Sequence, residues 1–311
     1  MPVSININGV ITAAEDAKIS VFDHGLLFGD SVYETLRTYN RKPFLFSRHF
    51  ARLEHSAGGI DLQLPWTRSQ TMDEIRRTLL SVGPTDRISS VHRFAASSEP
   101  AGPPPPPSVE CRIRLLITRG IGEVSADTET CTDPAAIIIV VPLIAPPARI
   151  YSEGVDVVVS SVCRSGRFAD IKTGSLIHQV IARREANAKG AYEAIMLTGE
   201  DKLSDGITSN IYMVRDGKLL TPARGAAIVE GITRRVVLDL AREMGLDVVE
   251  GFFDIADIAR ADEMFLTSTT REVVPIARVE GAPVGSGKPG PVTLMLFEAY
   301  RSAIDRLAGE D

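Results

Sequence analysis

The 311-residue sequence has few cysteines and no excess of positive charge. Its three cysteines, Cys111, Cys131 and Cys163, are too few and too irregularly spaced for a disulfide framework or a zinc site. The formal net charge is −6, and no basic stretch stands out, so a general nucleic-acid-binding surface is not expected. These features predict a protein of a reducing compartment, with the cytoplasm as the default location.

Long apolar runs are also missing. The run over 135–144 is too short to cross a bilayer, and it contains Pro142. The N-terminus lacks the basic and then apolar pattern of a signal peptide. We therefore expect no membrane association. The histidines show no spacing typical of metal ligands, so no metal is predicted either.

Turn signals and hydrophobic periodicity divide the chain into short strands and helices. Hairpins are predicted at Asn8-Gly9, at 40–42 and at Asp216-Gly217. Strands and helices alternate without a regular βαβ repeat, which predicts an α+β fold. Helices are predicted over 48–54, 71–82, 175–188, 232–244 and 292–304, and the first of them is capped by Ser47 and ended by Gly58-Gly59. Strands are predicted over 112–118, 137–141, 155–161 and 263–266.

The length and a proline-containing segment predict two domains. Residues 1–144 form a small N-terminal domain, 145–150 an interdomain linker, and 151–311 a larger C-terminal domain. The stretch 97–108 contains five consecutive prolines, which cannot join a helix or a central strand. We expect an exposed loop or a polyproline segment there.

Four motifs follow one another in the second half of the chain: Asp170–Leu176 (DIKTGSL), Leu203–Ile211 (LSDGITSNI), Gly231–Arg234 (GITR) and Leu266–Glu272 (LTSTTRE). In this order they resemble the cofactor site of the class IV aminotransferases. These are fold-type IV pyridoxal-phosphate enzymes and include branched-chain aminotransferase, D-amino-acid transaminase and aminodeoxychorismate lyase. The resemblance extends from residue 21 to residue 292. It implies a two-domain α+β fold like that of D-amino-acid aminotransferase, a C-terminal cofactor-binding domain, and pyridoxal 5'-phosphate as the cofactor.

Within this resemblance, Lys172 is the catalytic lysine, which holds the cofactor aldehyde as a Schiff base and moves protons. Asp205 stands where the family usually carries a glutamate that pairs with the cofactor ring nitrogen. Taken alone, a lysine before a helix is usually a solvated charge, and Ser-Asp-Gly is an ordinary turn. The order of the four motifs favours the cofactor roles.

A second group of residues is assigned to the cofactor phosphate. Residues 231–233 open a predicted helix, where free backbone amides and the helix dipole attract an anion. Arg52 has a planar guanidinium suited to bidentate phosphate binding. The resemblance gives cofactor-binding roles to Arg52, Ile232, Thr233, Ser268 and Thr269. It gives Thr270 a role in binding the substrate carboxylate.

Two further residues are predicted to line the substrate pocket. Tyr33 lies in a motif over 28–35 that resembles the pocket wall of the family, although a core tyrosine is an open alternative. Arg112 and Arg114 alternate on a predicted strand and so share one face. Arg114 matches an arginine that some branched-chain aminotransferases use near the carboxylate of an acidic substrate. A solvated strand edge is the alternative for both arginines.

Two departures from the family bear on the substrate. Well-known D-amino-acid transaminases carry an Arg-x-His pair soon after a Thr-Arg-Gly element, and no such pair follows 118–120 here. Branched-chain enzymes place a tyrosine where this chain has Ile177. The expected function is ping-pong transfer between an L-amino acid and 2-oxoglutarate, by a homodimer as in the family, with branched-chain amino acids among the candidate donors. Three alternatives stay open: a D-amino-acid transaminase, an aminodeoxychorismate lyase, and a catalytically silent binding protein on the same fold.

Overall fold

The computed structural model describes residues 3–82, 110–164, 166 and 168–310. The chain forms two compact units. The first is drawn from residues 1–144, 172–175 and 307–311, and the second from 145–171 and 176–306. The proline-rich stretch predicted to be a loop, 97–108, lies outside the described residues.

The first unit is built on an antiparallel sheet. Its strands are β1 (Ser4–Ile7), β2 (Val10–Thr12), β3 (Ser31–Tyr39), β4 (Lys42–Pro43), β5 (Cys111–Thr118) and β6 (Ala135–Pro142), in the spatial order β2-β1-β6-β5-β3-β4. Its helices are α1 (His24–Leu27), α2 (Phe46–Gly58) and α3 (Arg68–Ser81). Apolar residues of α2, α3 and the sheet form one core, which includes Phe50, Leu53, Ile75, Ile113 and Ile138.

The two hairpins of this unit turn on residues with positive φ. Asn8 and Gly9 have φ angles of 51° and 86°, as a two-residue turn between right-twisted strands requires, and the predicted β1–β2 hairpin is confirmed. The second hairpin is shorter than predicted: the residues after its turn favour a return strand over 43–46, whereas β4 covers only Lys42–Pro43. Its return strand ends at Pro43 because Leu45, with φ 51°, starts α2 at Phe46. The predicted cap at Ser47 was therefore wrong, since Ser47 lies inside the first turn.

The start of α3 also differs from the prediction. The helix begins at Arg68, three residues before the predicted Thr71, because Thr67 and Gln70 form a reciprocal capping box. Thr67 Oγ1 accepts from the Gln70 amide, and Gln70 Oε1 accepts from the Thr67 amide. The periodicity of apolar residues alone did not reveal these polar first residues.

The second unit contains a larger, mixed sheet. Its strands are β7 (Val155–Arg164), β8 (Glu193–Thr198), β9 (Leu203–Gly206), β10 (Asn210–Arg215), β11 (Lys218–Pro222), β12 (Val248–Gly251), β13 (Glu263–Ser268), β14 (Glu272–Val279) and β15 (Ala282–Pro283). The spatial order is β12-β11-β10-β13-β14-β7-β8-β9, with β15 beside β14. The β11–β12, β14–β7 and β7–β8 pairs are parallel. The helices are α4 (Arg149–Ser152), α5 (Ile177–Ala188), α6 (Ile232–Glu243), α7 (Ile255–Ile258) and α8 (Pro291–Leu307).

Local turn chemistry explains where the functional motifs of this unit lie. Asp216 and Gly217, with φ angles of 51° and 74°, form the predicted hairpin between β10 and β11. Gly231 precedes the first residue of α6, and Gly245, with φ 79°, follows its end. Asp205 lies in β9, while Ser268 ends β13. Within the described ranges, no helix is both long and apolar enough to cross a membrane.

Candidate active site

Lys172 is fixed to the first unit by its own backbone. Its carbonyl accepts from the Tyr33 amide at 3.0 Å, and its amide donates to Ser56 Oγ at 3.0 Å. Two residues later, the Gly174 amide donates to the Ser31 carbonyl at 2.7 Å. A Cβ atom on Gly174 would lie only 1.9 Å from Ser31 Oγ, so a larger residue here would force the Ser31 side chain to move. The lysine is thus held against β3 and α2.

The side chains of Tyr33, Arg114 and Lys172 meet in this unit. Lys172 Nζ lies 3.4 Å from Tyr33 Oη and 4.5 Å from the centroid of the ring. The Arg114 guanidinium carbon lies 3.4 Å from the same centroid. Burial alone would raise the pKa of Tyr33, but the two neighbouring cations outweigh it and lower the pKa. The predicted pocket residues therefore form one cationic cluster around a buried phenol.

The two arginines of β5 differ in their surroundings. Both lie on the less buried face of the strand, in keeping with the predicted alternation. Arg112 is exposed and lies opposite Arg37. Arg114 is half-buried and covers Tyr33. The cation–π contact with the Tyr33 ring orients Arg114.

Arg52 lies on α2 and binds a carboxylate that the sequence analysis did not identify. Its Nε and Nη2 atoms each donate to Glu34 at 2.7 Å. His49 Nδ1 lies 2.7 Å from Glu34 Oε2. Burial lowers the pKa of His49, although the nearby Glu34 charge opposes this shift. The sequence contains one indication of this ion pair. Glu34 lies between Val32 and Leu36 on the core-facing side of β3, where a charged side chain requires a buried partner.

Asp205 is a buried carboxylate of the second unit. Its Oδ1 accepts from Asn210 Nδ2, and its Oδ2 from the Val229 amide, both at 2.8 Å. Arg164 Nη1 lies 4.0 Å from Oδ2. Burial raises the pKa of Asp205 to about 6, against the opposing effects of Arg164 and these hydrogen bonds. Asn210 and Arg164 are partners that the sequence analysis did not assign.

The first turn of α6 lies beside the same network. Gly231 caps the helix without a side chain, and a Cβ there would lie 2.0 Å from Asn210 Oδ1. Ile232 and the buried Thr233 follow it. An anion suits the bare amides of this helix start, and a protonated ring nitrogen suits Asp205. The donor set of the second unit therefore fits both charged ends of pyridoxal 5'-phosphate.

The turn after β13 holds the remaining predicted residues. Ser268, Thr269 and Thr270 are all partly exposed. Arg271, which follows them, donates from Nε to Ser268 Oγ at 2.9 Å. Arg271 belongs to the fourth motif, Leu266–Glu272, but the resemblance assigns it no role. Its contacts with Glu193 and Thr208 join residues far apart in the sequence, so the local pattern does not reveal them.

The sequence resembles known enzymes over nearly its whole length. The family model for amino-transferase class IV matches residues 31–279. A Methanocaldococcus jannaschii protein provisionally named branched-chain-amino-acid aminotransferase is 32% identical over 300 residues, which cover 96% of this chain and 95% of that protein. A D-alanine aminotransferase of Listeria monocytogenes (serotype 1/2a, strain 10403S) is 31% identical over 306 residues, covering 98% and 97%.

Solved structures give the same result. The branched-chain amino acid aminotransferase of Escherichia coli superposes with a TM-score of 0.82 at 27% identity, covering 98% of this chain and 95% of that one. That of Thermoproteus uzoniensis with norvaline has a TM-score of 0.83 at 26% identity, covering 99% and 96%. Another branched-chain enzyme, complexed with N-(5'-phosphopyridoxyl)-L-glutamate, has a TM-score of 0.83 at 26% identity, covering 99% and 95%. The predicted α+β fold and cofactor are confirmed, and the chain belongs to the class IV aminotransferases, the pyridoxal-phosphate enzymes of fold type IV.

Proposed function

We propose that this aminotransferase moves an amino group between an L-amino acid and 2-oxoglutarate. The observation that carries the proposal is the position of Arg114, whose guanidinium covers the ring of Tyr33 while the Tyr33 hydroxyl lies 3.4 Å from Lys172 Nζ. A cation one side chain away from the reactive amine can bind the distal carboxylate of 2-oxoglutarate or L-glutamate. Arginine suits this task because its planar donors match a carboxylate.

The proposed roles divide the chemistry among the residues of the chain. Bound pyridoxal phosphate supplies an electron sink for the substrate α-carbon. Lys172 Nζ holds the cofactor aldehyde at rest and carries the α-proton during transfer. The Asp205 carboxylate holds the proton on the cofactor ring nitrogen, and Tyr33 orients Lys172.

Phosphate and substrate carboxylate are assigned to separate donors. Phosphate binding is proposed for Arg52, Ile232, Thr233, Ser268 and Thr269. Thr270 is proposed to bind the substrate α-carboxylate. Backbone amides and hydroxyl groups at the start of a helix and the end of a strand can bind an anion without a flexible charged side chain. The reaction then runs in two halves: one 2-oxo acid leaves before the second enters.

The choice of an L-donor has two supports. One similar structure is a complex with a phosphopyridoxyl adduct of L-glutamate. This chain also lacks an Arg-x-His pair after residues 118–120. A D-amino-acid transaminase is a second candidate, because D-alanine aminotransferases are about as similar in sequence as the branched-chain relative.

A homodimer and a cytoplasmic location complete the proposal. Exposed apolar side chains lie around α1, among them Phe22, Leu26 and Phe28. Ile121 is also exposed and belongs to the same surface, because its backbone forms a β-bridge with Asp23, the residue before α1. An exposed apolar surface of this kind favours burial against another protein, here a second copy of the chain. The size of the particle in solution tests the dimer.

The experiment is an assay of the purified protein with pyridoxal phosphate. L-leucine, L-glutamate and D-alanine serve as donors, with 2-oxoglutarate and pyruvate as acceptors. We expect the highest kcat/KM for an L-donor with 2-oxoglutarate. Faster turnover of D-alanine would establish the second candidate. Product formation from aminodeoxychorismate alone would identify the lyase, and no turnover of any substrate would favour a silent binding protein.

A further inference from the structure

Glu193 is a buried carboxylate on β8 with four donors. Its Oε1 accepts from the Thr208 amide at 2.9 Å and from Ser209 Oγ at 3.0 Å. Its Oε2 accepts from Arg183 Nη2 at 2.8 Å and from Arg271 Nη1 at 3.1 Å. Burial alone would raise the pKa of Glu193, but the two guanidinium groups and the Thr208 amide lower it. The carboxylate is ionised, and its four lone-pair positions are filled.

Arg271 extends this network in three directions. Besides Glu193, its Nη2 donates to Thr208 Oγ1 at 2.8 Å and to the Thr208 carbonyl at 3.3 Å. Its Nε donates to Ser268 Oγ at 2.9 Å. The backbone carbonyl of Arg271 accepts from Tyr151 Oη at 3.2 Å. One rigid guanidinium thus contacts acceptor groups on three residues that lie far apart in the sequence.

The network joins two turns. Thr208 and Ser209 lie between β9 and β10, three and four residues after Asp205. The packing there is close, because a Cβ on Gly206 would lie 2.3 Å from Ser209 Oγ and 3.0 Å from Glu193 Oε1. The other turn follows β13: Ser268 ends the strand, and Thr269 and Thr270 come directly after it. Both turns are therefore tied to one buried ion pair.

We propose that Arg271 and Glu193 are positioning residues that fix the separation between the two ends of the cofactor site. The proposal rests on the function proposed above, which gives Asp205 the ring nitrogen and Ser268 and Thr269 the phosphate. A buried ion pair often adds little net stability compared with an apolar pair, so its value here lies in geometry. The planar fork of an arginine holds its donors in a fixed geometry, so one side chain can bind Glu193, Thr208 and Ser268 together.

Arg183 offers a matched control. It binds the same Oε2 atom from α5 and donates from Nη1 to the Tyr192 carbonyl at 2.6 Å. These hydrogen bonds run to the first residue of β8 and to the residue before it, whereas those of Arg271 run to both turns. Replacing either arginine by methionine removes one cation from Glu193. Only Arg271→Met also releases Thr208 and Ser268.

The experiment compares the affinities of the cofactor-free proteins for pyridoxal 5'-phosphate and for pyridoxal, which lacks the phosphate. The variants are Arg271→Met, Glu193→Gln and Arg183→Met, with Arg271→Lys in case the methionine variant does not fold. We expect Arg271→Met to weaken phosphate-ester binding by at least about tenfold, about 1.4 kcal/mol. Pyridoxal binding should change by less than about threefold, because it does not use the turn after β13. Glu193→Gln should show the same selective loss to a smaller extent.

Equal losses for both ligands, or the same loss in Arg183→Met, would overturn the proposal and leave Arg271 a general stabilising residue. Thermal unfolding of the cofactor-free variants separates the two cases, since lost stability alone moves Tm without changing the ratio of the two affinities. A wild-type protein that does not prefer the phosphate ester would instead refute the phosphate assignment of the proposed function.

Discussion

Glu34 and Arg52 form a bidentate ion pair in which both N–O distances are 2.7 Å. The pair joins the core-facing side of β3 to α2, and the Glu34 side chain is almost completely buried. His49 completes it from the same helix. Burial alone would raise the pKa of Glu34, but Arg52 and then His49 lower it far below its usual range. This pair fixes the orientation of the arginine proposed to bind phosphate.

The Glu34 carboxylate should make stability depend on acidic pH. Because its folded-state pKa is depressed, its contribution is complete above the unfolded value of about 4.3 and is lost as the pH falls towards the folded-state value. At pH 7, Glu34→Gln should cost about 3–5 kcal/mol, because removing the buried partner of an ion pair is strongly destabilising. Urea unfolding at several pH values measures both effects.

The control for Glu34→Gln is Asp73→Asn, which removes an exposed carboxylate 3.9 Å from Arg76 on α3. An exposed pair of this kind contributes little, so that variant should follow the wild-type acid profile. If Glu34→Gln followed the wild-type profile as well, the pair would not be the source of the acid sensitivity.

Lys172→Ala should abolish transamination and leave the fold intact. The fold is retained because the hydrogen bonds of Lys172 to the Tyr33 amide and to Ser56 use its backbone. Borohydride reduction of the loaded wild-type protein should fix the cofactor on Lys172, as mass spectrometry of the digest can detect. Lys189→Ala, an exposed lysine paired with Glu280, is the control and should keep full activity. A fixed adduct and turnover in Lys172→Ala would contradict the assignment.

Asp205→Asn should retain the cofactor but reduce kcat by at least about tenfold, because a loss of one pKa unit at the ring nitrogen corresponds to about 1.4 kcal/mol. Assays belong near pH 8, where a carboxyl with a pKa of about 6 is ionised even before the cofactor binds. Asp205→Glu restores the residue usual in the family and should keep most of the activity. Wild-type turnover in Asp205→Asn would show that this residue only shapes the turn.

The local parts of the fold could be predicted from the sequence, and the long-range parts could not. The turns at Asn8-Gly9 and Asp216-Gly217 and the glycines around α6 follow from the backbone freedom of single residues. Leu45 in a left-handed conformation has no such signal, so the start of α2 was misplaced. Sequence order also gave no reason to place 172–175 with the first unit.

The same division holds for the candidate site. Family motifs indicated the residues proposed to contact the cofactor, since these lie in short continuous segments. The residues behind them come from distant segments: Glu193 and Arg271 are 78 positions apart. Their pairing depends on strand order, which no local periodicity reveals. Glu34 could be predicted only in part. A charge on the apolar face of a strand indicates that it has a buried partner, but the sequence does not identify that partner.

Arg114→Met should reduce kcat/KM for 2-oxoglutarate by about ten- to a hundredfold, because a hydrogen bond to a charged group contributes about 1.5–3 kcal/mol. The acceptor 4-methyl-2-oxopentanoate has no second carboxylate and so makes no charged contact with Arg114. Its kcat/KM should therefore change little. Arg112→Met is the matched control, since Arg112 lies on the same face of β5 but is exposed. Assays with L- and D-donors in parallel test the stereochemistry at the same time. Equal losses for both acceptors would show that Arg114 supports Tyr33 instead of recognising the substrate. Faster turnover with D-donors would refute the L-specific part of the proposal.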